Sequence, residues 1–366
     1  MAQLQRIDCT VEFITPAFLG NASQQGQWRV PPFKALLRCW WRILMAHEVG
    51  YDWQELRRRE GLLWGNSFLS TEDLPEEMRR GRKNGHRRSL IDVRLSAWED
   101  GKCTLPCWEK EVKLGKVAPR PHVAEQKVPA ALYLGYGPVD QRSRKLARER
   151  EPAIAPQERQ RLTLLIRLAA AEDSTVAHLK QTLTLLNMFG TLGSRASNGW
   201  GSIHLLDADL HTEGRLPVTR DWQDCLNEHW AHAIGKDDKP LIWRTRVSRN
   251  WQDAMNRLAQ VLAGCRAQAK KFKGPGLTGV FLMGYPVQGP HAVRTLGKEA
   301  RWQSQLRFKV QRVQGGQFQG VVYHLPHSPP DPLWQKLDGS QQNWLRRKQP
   351  EIWRAVHEWL DRNLQR

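Results

Sequence analysis

Few features of a secreted, membrane-bound or cofactor-dependent protein occur in this chain of 366 residues. Its six cysteines, at positions 9, 39, 103, 107, 225 and 265, fit no secreted disulfide framework. Cys103-x-x-x-Cys107 lacks a second pair at zinc-ligand spacing, and only His122 follows at moderate distance, so no metal is expected. Met1 to Arg6 lead into strand-like alternation where a signal peptide would stand. No run reaches the roughly 18 apolar residues of a membrane span. A reduced, cytoplasmic protein without a membrane partner is expected. No Gly-Lys-Ser/Thr completes a phosphate-binding loop, no Gly-x-Ser-x-Gly marks a nucleophile, and no carboxylate cluster stands out. No cofactor is therefore expected.

Acidic residues are scarce too. The chain holds 37 Asp and Glu against 56 Lys and Arg, a formal charge of +19. Such an excess points to a polyanionic partner, because each neutralised phosphate releases counterions. Tyrosine numbers five against seventeen tryptophans. Trp fills cores, stacks on bases or sits in interfaces, and core packing is its ordinary use.

What the chain does have begins at Val30-Pro31-Pro32-Phe33-Lys34. Pro31 and Pro32 suit the first turn of a helix, where their missing N–H groups cost nothing. Phe33, Leu37, Trp40 and Leu44 recur at helical spacing and define a buried stripe. Lys34, Arg38 and Arg42 follow at i, i+4, i+8 on the neighbouring face, with Trp41 beside them. That face is either a solvated charge stripe or a phosphate reader.

Alternation over Ile7–Phe13, residues 90–97 and Leu162–Leu168 predicts strands, and a helix that Asp173 or Ser174 can cap, with Val176, Leu179, Leu183 and Leu186 as its apolar stripe, precedes another strand at Trp200–Leu206. The order strand, helix, strand, strand, helix, strand is the split βαβ of ferredoxin-like and RNA-recognition folds. The fold class is α+β, expected as tandem ferredoxin-like (RRM-like) domains. The first covers residues 1–210 with a long insertion at about 98–160. The second, diverged domain covers 211–366, after a hinge near 210–238. It is expected to hold strands at 241–247, 277–283, 306–313 and 319–325, a helix from Trp251 to Cys265, and a closing helix through Trp353 and Leu364.

Between helix and strand lies Phe189-Gly190-Thr191-Leu192-Gly193-Ser194-Arg195-Ala196-Ser197-Asn198-Gly199-Trp200-Gly201. Its glycines permit close backbone approach, and its N–H groups with Arg195 either cradle phosphate or close a plain tight connection. Further cations cluster at Arg79–Arg88, Arg142–Arg150 and Arg266–Lys273.

Thr15-Pro16 with Phe18 and Gly20, then Arg29-x-Pro31-Pro32-Phe33-Lys34-x-x-Leu37-Arg38-x-Trp40-Trp41-Arg42, resembles the RAMP superfamily of CRISPR effector proteins. Within it, the pattern is similar to the first-numbered subunits of Cmr (type III-B) complexes. Leu63-Trp64-Gly65-Asn66-Ser67 resembles the family's Leu-Phe-Gly-Ser element, and the Gly190–Gly201 stretch its glycine-rich loop. Phe281–Pro286 and Arg301–Phe308 sit where the family has comparable segments. Ala35 stands where the family often has Gly, and Ser197 and Asn198 where many relatives carry basic residues.

The resemblance implies a non-catalytic subunit of an antiviral ribonucleoprotein, near the end that holds the guide RNA's 3′ region. Guide RNA, target RNA and other Cmr subunits are the partners so implied. Lys34, Arg38 and Arg42 are expected to contact phosphate, with Trp28 and Arg29 at the helix entrance and Trp41 stacking or packing. Gly193, Ser194, Arg195 and Gly199 would form the groove's opposite wall. Two rivals stay open: a metal-independent guide-processing endoribonuclease using His47, His122 or His178, and a mainly structural end-cap.

Overall fold

Alternation over Ile7–Phe13 runs through β1 (Gln3–Phe13), a long strand whose Cys9, Val11 and Phe13 point into the core. The computed structural model describes residues 3–67, 70–72, 74, 76–79, 83, 85–119, 127–168, 173–206, 218–285, 296–297 and 300–366. The molecule is a mixed α and β protein built largely on antiparallel sheets. With β2 (Ile91–Leu95), β3 (Arg159–Leu168) and β4 (Ile203–Leu206), β1 forms a sheet in the order β2–β3–β1–β4. Every ladder in it is antiparallel, with Thr10 opposite both Arg161 and Leu206.

Helix α1 (Val30–Met45) connects β1 to β2 and starts as the prolines imply. Arg29 is the extended residue before it, and no side chain caps the helix. Its buried face is wider than the sequence stripe: Trp41 joins Phe33, Leu37, Trp40 and Leu44. Helix α2 (Trp53–Trp64) follows, capped by the Asp52 carboxylate, which accepts from the Gln54 and Glu55 amides. It stops at Gly65, whose φ of 84° suits glycine; a Cβ there would lie 2.6 Å from the Ser89 amide. Helix α3 (Asp173–Phe189) connects β3 to β4 and packs on α1, with Phe189 stacked on Trp40 at 5.5 Å.

The second half carries β5 (Ile242–Arg244), α4 (Trp251–Lys270), β6 (Leu306–Arg312), β7 (Phe318–His324) and α5 (Gly339–Asn363). Its sheet order is β6–β7–β5. A single bridge from Arg244 to Gln365 lies beyond α5 in the chain. The strand expected at 277–283 is instead a 3₁₀ helix, Gly279–Met283. Gly279, Val280, Phe281, Leu282 and Met283 form an unbroken apolar run with no period of two, and such runs fit several structures. Gly279 also sits where a Cβ would lie 2.3 Å from the Ala269 carbonyl, so the chain follows the end of α4.

The insertion folds onto the second half. Its helices Leu105–Glu111 and Ala130–Gly135 put Trp108, Ala131 and Leu134 into one apolar cluster with Trp200, Met255, Leu258 and Trp353. Asn256 accepts the Gly115 amide at 2.8 Å, and Gln252 donates to the Glu111 carbonyl. The other cluster, built on β1, α1 and α3, likewise takes Ile242, Val321, Tyr323 and Leu325 from the second half. Among the described residues no helix is long and apolar enough to cross a membrane.

Candidate nucleic-acid interface

Arg38 and Arg42 are one turn apart on α1, and α2 brings Glu60 between them. Arg38 Nε donates to Glu60 Oε1 at 2.7 Å and Arg42 Nε to the same oxygen at 3.1 Å. The carboxylate side chain is 6% exposed and each arginine 33%. One buried carboxylate thus orients two planar forks, and both donate through Nε, which leaves their Nη groups for a ligand. Arg57, one turn before Glu60, adds a third cation. With Trp53, Gly65, Asn66 and Ser67 these side chains line an open cleft of about 440 Å³. Three guanidiniums against one carboxylate make it cationic.

Lys34 is half-buried one turn before Arg38, near the start of α1. Burial first, and then the Arg38 charge, lower its pKa from the ordinary lysine value, while Asp92 opposes them. Arg29 is turned away to the loop before α1, donating through Nη2 to the Gly20 carbonyl at 2.5 Å. Trp28 is fully buried, stacked on Phe33 at 5.8 Å, and its indole N–H donates to Glu158 at 3.0 Å. Trp41 is 3% exposed. Neither ring has a face open to a base, so both work in the core.

The glycine loop lies elsewhere. None of its residues lines the cleft. The Ser194 amide donates to the Phe18 carbonyl, and a Cβ on Gly193 would lie 2.8 Å from that same oxygen. The Gly199 carbonyl accepts from Thr15 and Ser202, and the Phe308 amide donates to the Ser197 carbonyl. Arg195 Nε donates to the Tyr136 carbonyl at 2.6 Å, tying the loop to the insertion. The loop's hydrogen-bonding groups thus join the first half, the insertion and β6. It is not the opposite wall of the Arg38–Arg42 cleft.

Sequence pattern alone does not single out Trp53, Arg57 and Glu60, although it holds a signal for them. Asp52 is an N-cap residue type, and i, i+4, i+7 spacing sets the three on one face of the helix it starts. His47 Nδ1 lies 2.9 Å from the Leu44 carbonyl, and His178 Nε2 lies 3.2 Å from Glu48. His122, Arg80, Arg82 and Pro286 lie outside the described residues. Among the described residues no group of three or more His, Cys, Asp or Glu could hold a metal ion.

Residues 10–204 match the family model of the RAMP superfamily. No curated protein matches the chain. The crystal structure of Cmr1 from Pyrococcus furiosus in its apo form aligns at 13% identity and a TM-score of 0.48, over 93% of this chain and 92% of that one. A chain of the type III-B Cmr-beta complex bound to cognate target RNA aligns at 10% identity and a TM-score of 0.44, over 97% of this chain and 100% of that one.

Proposed function

This chain belongs to the RAMP superfamily, and on that premise we propose that it is a non-catalytic, RNA-binding subunit of a type III-B CRISPR (Cmr) effector ribonucleoprotein. It engages the guide RNA's 3′ region or target RNA near one end of the complex, in the cytoplasm. The two sheets are read as tandem ferredoxin-like units. The second keeps the strand–helix–strand–strand–helix order, with its fourth strand reduced to the Gln365 bridge.

The observation that carries the reading is the Glu60-oriented pair Arg38 and Arg42, set beside Arg57 in an open cleft. Guanidinium forks held in fixed orientations suit phosphate oxygens, and fixing them beforehand reduces the entropic cost of binding. Contacts of this kind position a backbone without reading its sequence.

Fluorescence anisotropy of the purified chain with labelled single-stranded RNA, across a salt series, tests this. Arg57→Glu and the pair Arg38→Gln/Arg42→Gln are expected to weaken binding and to flatten the salt slope by about 1 for each phosphate that is no longer neutralised. Unchanged affinity in the Arg38→Gln/Arg42→Gln pair removes the cleft from the reading. Specific cleavage of repeat RNA in EDTA overturns the non-catalytic assignment.

A further inference from the structure

Seventeen tryptophans make exposure, not occurrence, the informative property of an indole here. Two of them, Trp53 and Trp98, are exposed, and of these Trp53, 38% exposed, lines the cationic cleft. Its ring packs against that of Trp230 in a tilted pair, with centroids 5.1 Å apart and planes inclined at 48°. The Arg42 guanidinium stands over the ring at 5.9 Å from its centroid. Arg42 is itself bonded through Nε to Glu60, which keeps the cation beside the indole. Burial does not account for an indole left in the cleft, and the Asp52 cap already occupies the amides at this helix start.

We propose that Trp53 is a base-stacking platform that makes the cleft selective for an unpaired nucleobase, and hence for single-stranded over duplex RNA. An unpaired base entering beside Trp53 exchanges the Arg42 cation–π contact for a place between indole and guanidinium. Both surfaces accept the flat face of any base. The neighbouring Arg38 and Arg57 then meet the phosphates on either side. Bases in a duplex are already stacked and present no free face, so the same site offers a duplex only its charge.

The inference rests on the RNA-binding reading of this cleft, and the test separates the two. Wild-type chain, Trp53→Ala, Trp53→Phe and Arg38→Gln/Arg42→Gln are titrated with a labelled single-stranded RNA, the same strand in a duplex, and an abasic version. Trp53→Ala is expected to lose about tenfold in affinity for the single strand with an unchanged salt slope. It should lose nothing on the duplex or the abasic strand, and Trp53→Phe should retain most of the binding. If Trp53→Ala binds the single strand like wild type while the arginine pair fails, stacking is overturned and the cleft reading stands. An equal loss on all three ligands, or on Trp53→Phe as well, makes Trp53 a structural residue and overturns the proposal. No wild-type binding, or full binding by the arginine pair, overturns the cleft reading itself.

Discussion

Lys309, in the middle of β6, places its Nζ 3.3 Å from the carbonyl oxygen of Leu186 near the end of α3, and also donates to the next carbonyl, Asn187. It is fully buried, and Tyr323 reaches the same helix end by donating to the Phe189 carbonyl at 2.9 Å. Carbonyls at a helix end lack intrahelical donors. Two side chains from the second half supply donors and join the halves. Burial holds the Lys309 pKa well below the ordinary 10.5. The unfolded chain therefore binds more protons than the native one between that lowered value and 10.5, and stability rises with pH across this window.

Urea denaturation at pH 7 and pH 9 checks this. Wild type should gain stability over Lys309→Met as pH rises, by at most about 1.4 kcal/mol per unit for one site. Equal slopes for both proteins would mean that the buried amine does not titrate in this way.

Glu60 trades charge for order in the cleft. Glu60→Gln keeps the shape, removes the one carboxylate and leaves Arg38 and Arg42 facing each other. Stability should fall by about 1–3 kcal/mol, because at a buried position two ion pairs become weaker hydrogen bonds from guanidinium to a neutral amide oxygen. RNA affinity at low salt should rise, with a steeper salt slope, since the cleft gains a unit of positive charge. Thermal denaturation and anisotropy read the two effects separately; a drop in both would show that ordering the forks outweighs their net charge.

Glu12 is buried in β1 and accepts from Arg159 of β3 at 2.6 Å and from Arg312 of β6. It thus ties the two sheets through residues 300 positions apart. A double-mutant cycle on Glu12→Ala and Arg312→Ala should give a coupling of about 0.5–3 kcal/mol. Additive effects would remove the pair from the interface energetics.

Gly201 and Gly315 both have positive φ, 62° and 73°, yet they differ in space. A Cβ on Gly201 would lie 1.9 Å from the Leu192 carbonyl, whereas nothing lies within 4 Å of one on Gly315. Gly315→Ala should cost about 1–2 kcal/mol from backbone strain alone. Gly201→Ala adds a backbone clash and should cost clearly more. Similar melting temperatures for the two variants would refute the close approach in the glycine loop.

Local pattern determined much of this protein. Period-two alternation placed β1, β2 and β3, the proline pair opened α1, and apolar spacing marked its core face, because each signal lies within a few residues of the element it specifies. The cation stripe at Arg38 and Arg42 and the whole-chain charge were equally legible. Tertiary structure decided which of those residues line the open cleft. Trp28 and Trp41 differ little from Trp53 in the sequence, but helix packing buries the first two and leaves the third in a cleft. Glu60 meets Arg38 and Arg42 only because α2 turns back beside α1, and the glycine loop meets β6 only in the folded chain. Side-chain periodicity reports which face of an element is apolar; what that face, or its opposite, finally touches depends on segments up to 300 residues away.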